Sequence, residues 1–315
     1  MSVKEVDFIG KMILDEVMEL FATVYAPADA KAALKGFIDS SKDIARIEAE
    51  DQAVLIAEQA DALVDVYYYS LNAACKKGVN LSAIFGIVHA ANMAKRDPAT
   101  GQFLKREDGK IIKPAGWKAP DIKREIMRQL VEGAFVSGAA PRDAGDVREF
   151  TSGTGQPTPA TPELMSEAEV SFIGKMILDE VMELFATVYA PADAKAALKG
   201  FIDSSKDIAR IEAEDQAVLI AEQADALVDV YYYSLNAACK KGVNLSAIFG
   251  IVHAANMAKR DPATGQFLKR EDGKVLKPVG WMAPDVEGEI RRQLAGGAWT
   301  SSVSDVLSAT STPTK

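Results

Sequence analysis

Apolar side chains recur three and four positions apart along most of the chain, which is the period of an amphipathic α-helix. The predicted helices cover residues 6–25, 30–38, 44–77 and 81–95, followed by a last one that runs to about residue 130. Candidate N-caps precede them: Asp29, Ser40 or Ser41, Asn80 and Asp121. Pro27 ends the first helix and Gly78 ends the third.

The pattern changes after residue 95. Residues 96–101 form a predicted turn, and residues 103–112 are typical of a short hairpin about Asp108-Gly109. Residues 113–120 form an irregular loop. This stretch is rich in basic side chains, namely Lys95, Arg96, Lys105, Arg106, Lys110 and Lys113. The preceding residues show no strand-like alternation, so we expect an all-α unit, a bundle of about four helices with a short C-terminal hairpin.

The sequence of this unit occurs twice in the chain. Residues 8–110 recur without a substitution as residues 172–274. We therefore predict one domain at residues 1–136 and a second at residues 165–300. Residues 137–164 are rich in Gly, Pro, Ser and Thr, which predicts a flexible linker, and the similar residues 301–315 predict a disordered tail.

Composition narrows the functional class. The net charge of −9 argues against general nucleic-acid binding. No uncharged apolar run approaches the length of a membrane span, and residues 1–5 lack the apolar core of a signal peptide. Each unit has one cysteine, Cys75 or Cys239, which we expect to be a small buried hydrophobe in a reducing compartment. We therefore expect a cytoplasmic protein.

Three acidic residues on the long predicted helix are the strongest chemical signal. Glu58, Asp61 and Asp65 lie within roughly 60° of one another around the helix axis. The rest of that helix is mostly apolar and should be buried, where carboxylates are costly unless paired or bound to a cation. We therefore favour a metal site over an ordinary solvated acidic face. Glu16 and Glu19 form a similar acidic edge on the first helix.

Four motifs in order resemble the all-α nucleoside triphosphate pyrophosphohydrolases, the MazG-like superfamily. The first two are Asp15-Glu16-x-x-Glu19 and Glu58-x-x-Asp61, similar to the ExxE and ExxD signature, with Asp65 as an alternative final Asp. Asn92-Met-Ala-Lys95 and the run from Asp108 to Trp117 are similar to elements of the branch that includes phosphoribosyl-ATP pyrophosphohydrolase-like proteins. Asp15 departs from the Glu usual in the family.

The resemblance implies a site for Mg²⁺, with Mn²⁺ as an alternative, that cleaves a nucleoside triphosphate to monophosphate and pyrophosphate. Its metal ligands would be Glu16, Glu19, Glu58 and Asp61 or Asp65, with the counterparts Glu180, Glu183, Glu222 and Asp225 or Asp229. Glu19 and Glu183 are the candidate general bases. The substrate contacts would be Asn92, Lys95, Lys110, Lys113 and Trp117, with Asn256, Lys259, Lys274, Lys277 and Trp281 in the second copy. Each Trp would either stack on the base of the nucleotide or anchor its own loop to the helices.

In this family the core is typically completed by pairing two units. The resemblance therefore implies that the copies pair within one chain as a pseudo-dimer, which could associate further. Phosphoribosyl-ATP hydrolysis and a non-catalytic nucleotide sensor are the alternatives to cleavage of deoxynucleotides or non-standard nucleotides. A di-iron bundle would need Glu-x-x-His pairs. Neither His89 nor His253 follows an acid by three positions, so that alternative is weak.

Overall fold

The computed structural model describes residues 1–106, 111–135, 142–271 and 274–296, with only the backbone of Arg142. These residues form eleven α-helices and no strand longer than an isolated bridge, which confirms the all-α prediction. The helices are α1 (Val3–Ala22), α2 (Pro27–Ser40), α3 (Gln52–Lys76), α4 (Leu81–Met93), α5 (Ile122–Glu132), α6 (Arg142–Gly153), α7 (Glu167–Ala186), α8 (Pro191–Ser204), α9 (Gln216–Lys240), α10 (Leu245–Met257) and α11 (Val286–Gly296). In the described part, no helix is long and apolar enough to cross a membrane.

Two of the predicted helix caps are confirmed. The Asn80 side chain accepts a hydrogen bond from the Ala83 amide at 3.1 Å. The Asp121 side chain accepts one from the Arg124 amide at 3.0 Å. Both caps are local, because the accepting oxygen lies three residues from the amide that it satisfies.

The predicted start of the long helix was wrong. The helix α3 begins at Gln52, not near residue 44, and Asp51 caps it by accepting from the Ala53 amide at 2.8 Å. The preceding residues cross to the other copy, where the Ile47 amide donates to the Ala186 carbonyl at 2.9 Å. Helix α2 begins earlier than predicted, at Pro27, and Ser41 is its C-cap instead of the N-cap of α3.

Within the described residues, the basic hairpin is represented by isolated antiparallel bridges, Lys105 to Ile111 in the first copy and Lys269 to Val275 in the second. Asp108, Gly109 and Lys110 lie outside the described residues. An additional bridge joins Arg260 to Phe267 in the second copy.

The segment predicted to be a flexible linker contains a helix, α6. Its inner side chains Ala144, Val147 and Thr151 are fully buried and lie at helical spacing, where they pack against α3. The prediction missed this short apolar face because the segment as a whole is rich in Gly and Thr. After α6 the chain is irregular but bonded, because the Glu163 amide donates to the Lys77 carbonyl at 2.8 Å. The predicted domain boundaries themselves stay predictions.

The two copies share one hydrophobic core. Helix α3 packs against α7 and α9, and α1 packs against α7 and α9. At the centre the rings of Tyr67 and Tyr231 stack with centroids 4.4 Å apart and planes within 5° of parallel. A Cβ atom on Gly10 would lie 2.3 Å from the ring of Phe185, so this glycine permits α1 and α7 to approach closely. The acidic helices of one copy therefore face those of the other.

The two cysteines differ in spite of their identical local sequence. Cys75 is fully buried, as predicted, because α6 covers it. Cys239 is exposed, so the prediction of a buried thiol was wrong for the second copy.

Candidate active site

The ten acidic residues predicted as metal ligands form two clusters, each built from both copies. Cluster 1 consists of Glu58, Asp61 and Asp65 from α3 with Glu180 and Glu183 from α7. Cluster 2 consists of Glu222, Asp225 and Asp229 from α9 with Glu16 and Glu19 from α1. The packing of α3 on α7 and of α1 on α9 brings together acidic motifs that are far apart in the sequence.

One glutamate in each cluster is deeply buried. Glu16 and Glu180 each expose only 8% of their surface. Burial, reinforced by Asp229, raises the pKa of Glu16 to about 9. Burial together with Asp65 raises the pKa of Glu180 to about 9. Both carboxyl groups are therefore unstable as free anions at neutral pH.

The aspartates are also perturbed. Burial and the neighbouring Asp61 raise the pKa of Asp65 to about 7. Burial and Asp225 raise the pKa of Asp229 to about 7. Glu58 and Glu19 are exposed at the rims of their clusters, where they could contact a ligand in solution. Both Asp61 and Asp65 face cluster 1, so the two alternatives for the second motif lie at one site.

A divalent cation fits the chemistry of these donors. Mg²⁺ prefers oxygen ligands, and crowded carboxylates would be relieved by a nearby positive charge. However, among the residues that the structure describes, no group of three His, Cys, Asp or Glu side chains is arranged to hold one ion. The carboxylates of each cluster therefore share a neighbourhood without converging on one point, and side-chain rotation would be needed to ligate a metal.

A lysine from the end of a neighbouring helix faces each cluster. Lys259 follows α10 and acts to lower the pKa of Asp65, while Lys95 follows α4 and does the same for Asp229. Each lysine donates to the asparagine of its own motif at 2.6 Å, Lys95 to Asn92 and Lys259 to Asn256. In each cluster, the lysine thus comes from the same copy as the Glu-x-x-Glu motif. This is copy two for cluster 1 and copy one for cluster 2.

The tryptophans are fixed to the helices that precede these lysines, α4 and α10. The Trp117 indole donates to the Ala91 carbonyl at 2.7 Å, and the Trp281 indole donates to the Ala255 carbonyl at 2.8 Å. The ammonium groups of Lys113 and Lys277 lie 4.1 and 4.0 Å from the ring centroids of Trp117 and Trp281. These contacts favour the interpretation of each Trp as a loop anchor that presents two lysines.

The other predicted substrate contacts are less closely tied. Lys274 is exposed. Burial lowers the pKa of Lys259, and the positive charges of Lys277 and Lys274 lower it further. Its counterpart Lys110 lies outside the described residues. The histidines face aromatic residues of the opposite copy, with His253 Nδ1 3.4 Å from the Tyr68 hydroxyl and His89 Nδ1 3.3 Å from the Tyr232 hydroxyl.

Two tyrosines at the clusters were not predicted. Burial and the carboxylates of Glu180 and Asp65 raise the pKa of Tyr69, and Tyr233 responds in the same way to Glu16 and Asp229. Tyr69 lies four residues after Asp65 on one helical face, which is the signal that could have identified it.

Residues 147–256 match the family model described as phosphoribosyl-ATP pyrophosphohydrolase. This match supports the resemblance of this part of the chain to the MazG-like, phosphoribosyl-ATP pyrophosphohydrolase superfamily. Because residues 172–256 recur unchanged as residues 8–92, the first copy carries the same MazG-like sequence. No curated protein and no solved structure matches the chain. The family match supports a pyrophosphohydrolase that acts on nucleotides.

Proposed function

We propose that the protein is a Mg²⁺-dependent nucleoside triphosphate pyrophosphohydrolase with two sites, each contributed by both copies. The observation that carries this proposal is the pair of mixed carboxylate clusters, each faced by a lysine. In a bound complex of a metal ion and a triphosphate, the metal ion would offset the negative charge of the carboxylates. The phosphates would offset the positive charge of the lysines. The products would be a nucleoside monophosphate and pyrophosphate.

Within cluster 1 the buried and half-buried acids, Glu180, Asp61 and Asp65, are the proposed metal ligands, with Glu58 at the rim. A bound divalent ion would neutralise phosphate charge and activate the attacking water. Glu183 is exposed beside them and is the proposed general base, as Glu19 is for cluster 2. Although the residue as a whole is exposed, partial burial of its carboxyl group and the neighbouring Asp61 raise the pKa of Glu183, which would strengthen it as a base.

The lysines are the proposed phosphate contacts. Lys259 and Lys277 flank Trp281 next to cluster 1, and Lys95 and Lys113 flank Trp117 next to cluster 2. Because each pair is held by an anchored ring, the two ammonium groups are positioned before a substrate arrives. Such preorganised charge stabilises phosphate charge that develops during cleavage.

Phosphoribosyl-ATP is the second candidate substrate, and the description of the matching family favours it. It shares the triphosphate that the clusters and lysines would bind. The choice between the two therefore depends on contacts to the base and sugar. A nucleotide sensor would retain binding without cleavage.

The test is pyrophosphate release from a panel of ribo-, deoxyribo- and non-standard nucleoside triphosphates and phosphoribosyl-ATP, with and without Mg²⁺. The disabled variant combines Glu58→Gln with Glu222→Gln, which removes a charge from each cluster. A matched control combines Glu48→Gln with Glu212→Gln, equivalent exposed acids in the irregular segments before α3 and α9.

We expect Mg²⁺-dependent release that the cluster variant loses and the control keeps. The nucleotide with the highest kcat/KM would identify the substrate class. Mg²⁺-dependent nucleotide binding without release from any member of the panel would contradict the hydrolase proposal and support a sensor.

A further inference from the structure

The same helical face is covered in the first copy and open in the second. On α3 this face consists of Tyr68, Leu71, Asn72 and Cys75, and α6 lies on it. The Asn72 side chain donates to the Thr151 hydroxyl at 2.8 Å, and the Cys75 thiol donates to the Ala144 carbonyl at 3.5 Å. Leu71 and Cys75 are fully buried as a result.

The identical residues on α9 are Tyr232, Leu235, Asn236 and Cys239, and we name them the open face of α9. Leu235 is only half-buried there, and Cys239 is exposed. Among the residues that the structure describes, nothing packs on α9 as α6 packs on α3. The leucine and cysteine that the first copy fully buries on this face are therefore partly in contact with solvent in the second copy.

The C-terminal residues have the side chains that such a cover requires. In α6, Asp146-Val147 precedes Thr151-Ser152, and both Val147 and Thr151 are fully buried. In the tail, Asp305-Val306 precedes Thr310-Ser311 at the same spacing. The tail follows α11 as α6 follows α5, and α11 is the counterpart of α5 in the second copy. The connection from α11 to Val306 is five residues shorter than that from α5 to Val147.

We propose that residues 301–315 dock on the open face of α9, as α6 does on α3. Val306 would take the place of Val147, and Thr310 would accept a hydrogen bond from the Asn236 side chain. Tethering favours this segment over any other occupant, since its attachment to α11 gives it a high local concentration at the face. Residues 297–315 lie outside the described residues, so the disordered tail stays a prediction, and this proposal is its alternative.

The alkylation rate of Cys239 by iodoacetamide tests this proposal. The peptides around the two cysteines are identical, so Cys75→Ala is introduced in the full chain to leave one thiol. Val306→Asp would place a charge at the proposed buried position. Ser308→Asp is the matched control, because Ser308 corresponds to the exposed Glu149 on the outer side of α6.

We expect Val306→Asp to be alkylated roughly tenfold faster than the parent, since protection reflects how often the covering segment opens. A chain that ends at residue 300 should match this faster rate, and Ser308→Asp should match the parent. Equal rates in all four proteins would overturn the proposal. Protection that increases with protein concentration would overturn it as well, because a second copy of the chain would then be the cover.

Discussion

At the scale of single residues, the clusters hold more acid than their surroundings can stabilise as anions. Burial contributes the largest share of the pKa shift in Glu16, Glu180, Asp65 and Asp229, and repulsion between carboxylates adds to it. The lysines oppose the shift of the two aspartates without cancelling it. Sequence spacing identified these acids as candidates but did not predict which of them would be buried, because burial depends on the opposite copy.

This excess of acid predicts the pH dependence of stability without metal. Glu16 and Glu180 keep their protons to about pH 9 in the folded protein, compared with the reference value of 4.5. Between these values the folded state binds more protons than the unfolded state, so stability falls as pH rises. In EDTA we expect Tm to be lower at pH 8.5 than at pH 5.5 by on the order of 5 °C.

The double variant Glu16→Gln with Glu180→Gln is the comparison for this measurement, because its side-chain amides do not titrate in this pH range. The difference in Tm between the two pH values should shrink in this variant. Added Mg²⁺ should raise the Tm of the parent more at pH 8.5, where the carboxylates are ionised. An unchanged pH slope in the variant would assign the effect to other groups.

At the scale of elements, local signals were predictable and contacts across the copies were not. Asn80 and Asp121 cap the helices that follow them, so their roles were visible in the sequence. The start of α3 was misplaced because residues near Ile47 bond to α7 of the other copy. Helix α6 was missed because its apolar stripe has only a few small residues within a Gly- and Thr-rich segment.

Gly10 provides a test of the close helix approach. Gly10→Ala would force a methyl group into the buried ring of Phe185, and we expect a loss of about 2 kcal/mol in the free energy of unfolding. Gly36→Ala is the control, because Gly36 is helical and a Cβ there meets nothing within 4 Å. That change should stabilise α2 by about 0.5 kcal/mol.

Urea denaturation followed by circular dichroism would measure both changes. The two variants should move the midpoint in opposite directions. If Gly10→Ala unfolds at the same urea concentration as Gly36→Ala, the close approach of α1 and α7 is incorrect.

At the scale of the whole molecule, each cluster takes its two acidic motifs from different copies. The sequence could not predict this arrangement, because identical copies offer the same residues to a site within one copy and to a site between copies. Only the packing of α1 on α9 and of α3 on α7 separates the two possibilities.

Two double variants distinguish the arrangements by activity. Asp65→Asn with Glu180→Gln changes cluster 1 alone, whereas Asp65→Asn with Glu16→Gln changes both clusters. If either change disables its site, the first variant should keep about half of the parental kcat, and the second should fall to roughly 1% or less. The reverse order would show that each site is built within one copy.

The exchange of motifs between copies also has a genetic consequence. In a protein with two self-contained domains, one domain can accumulate mutations while the other maintains the activity. Here a copy that lost its acidic residues would remove three of the five carboxylates from one cluster and two of the five from the other. Natural selection for the activity would therefore act on both copies at once, and neither could become a neutral spare.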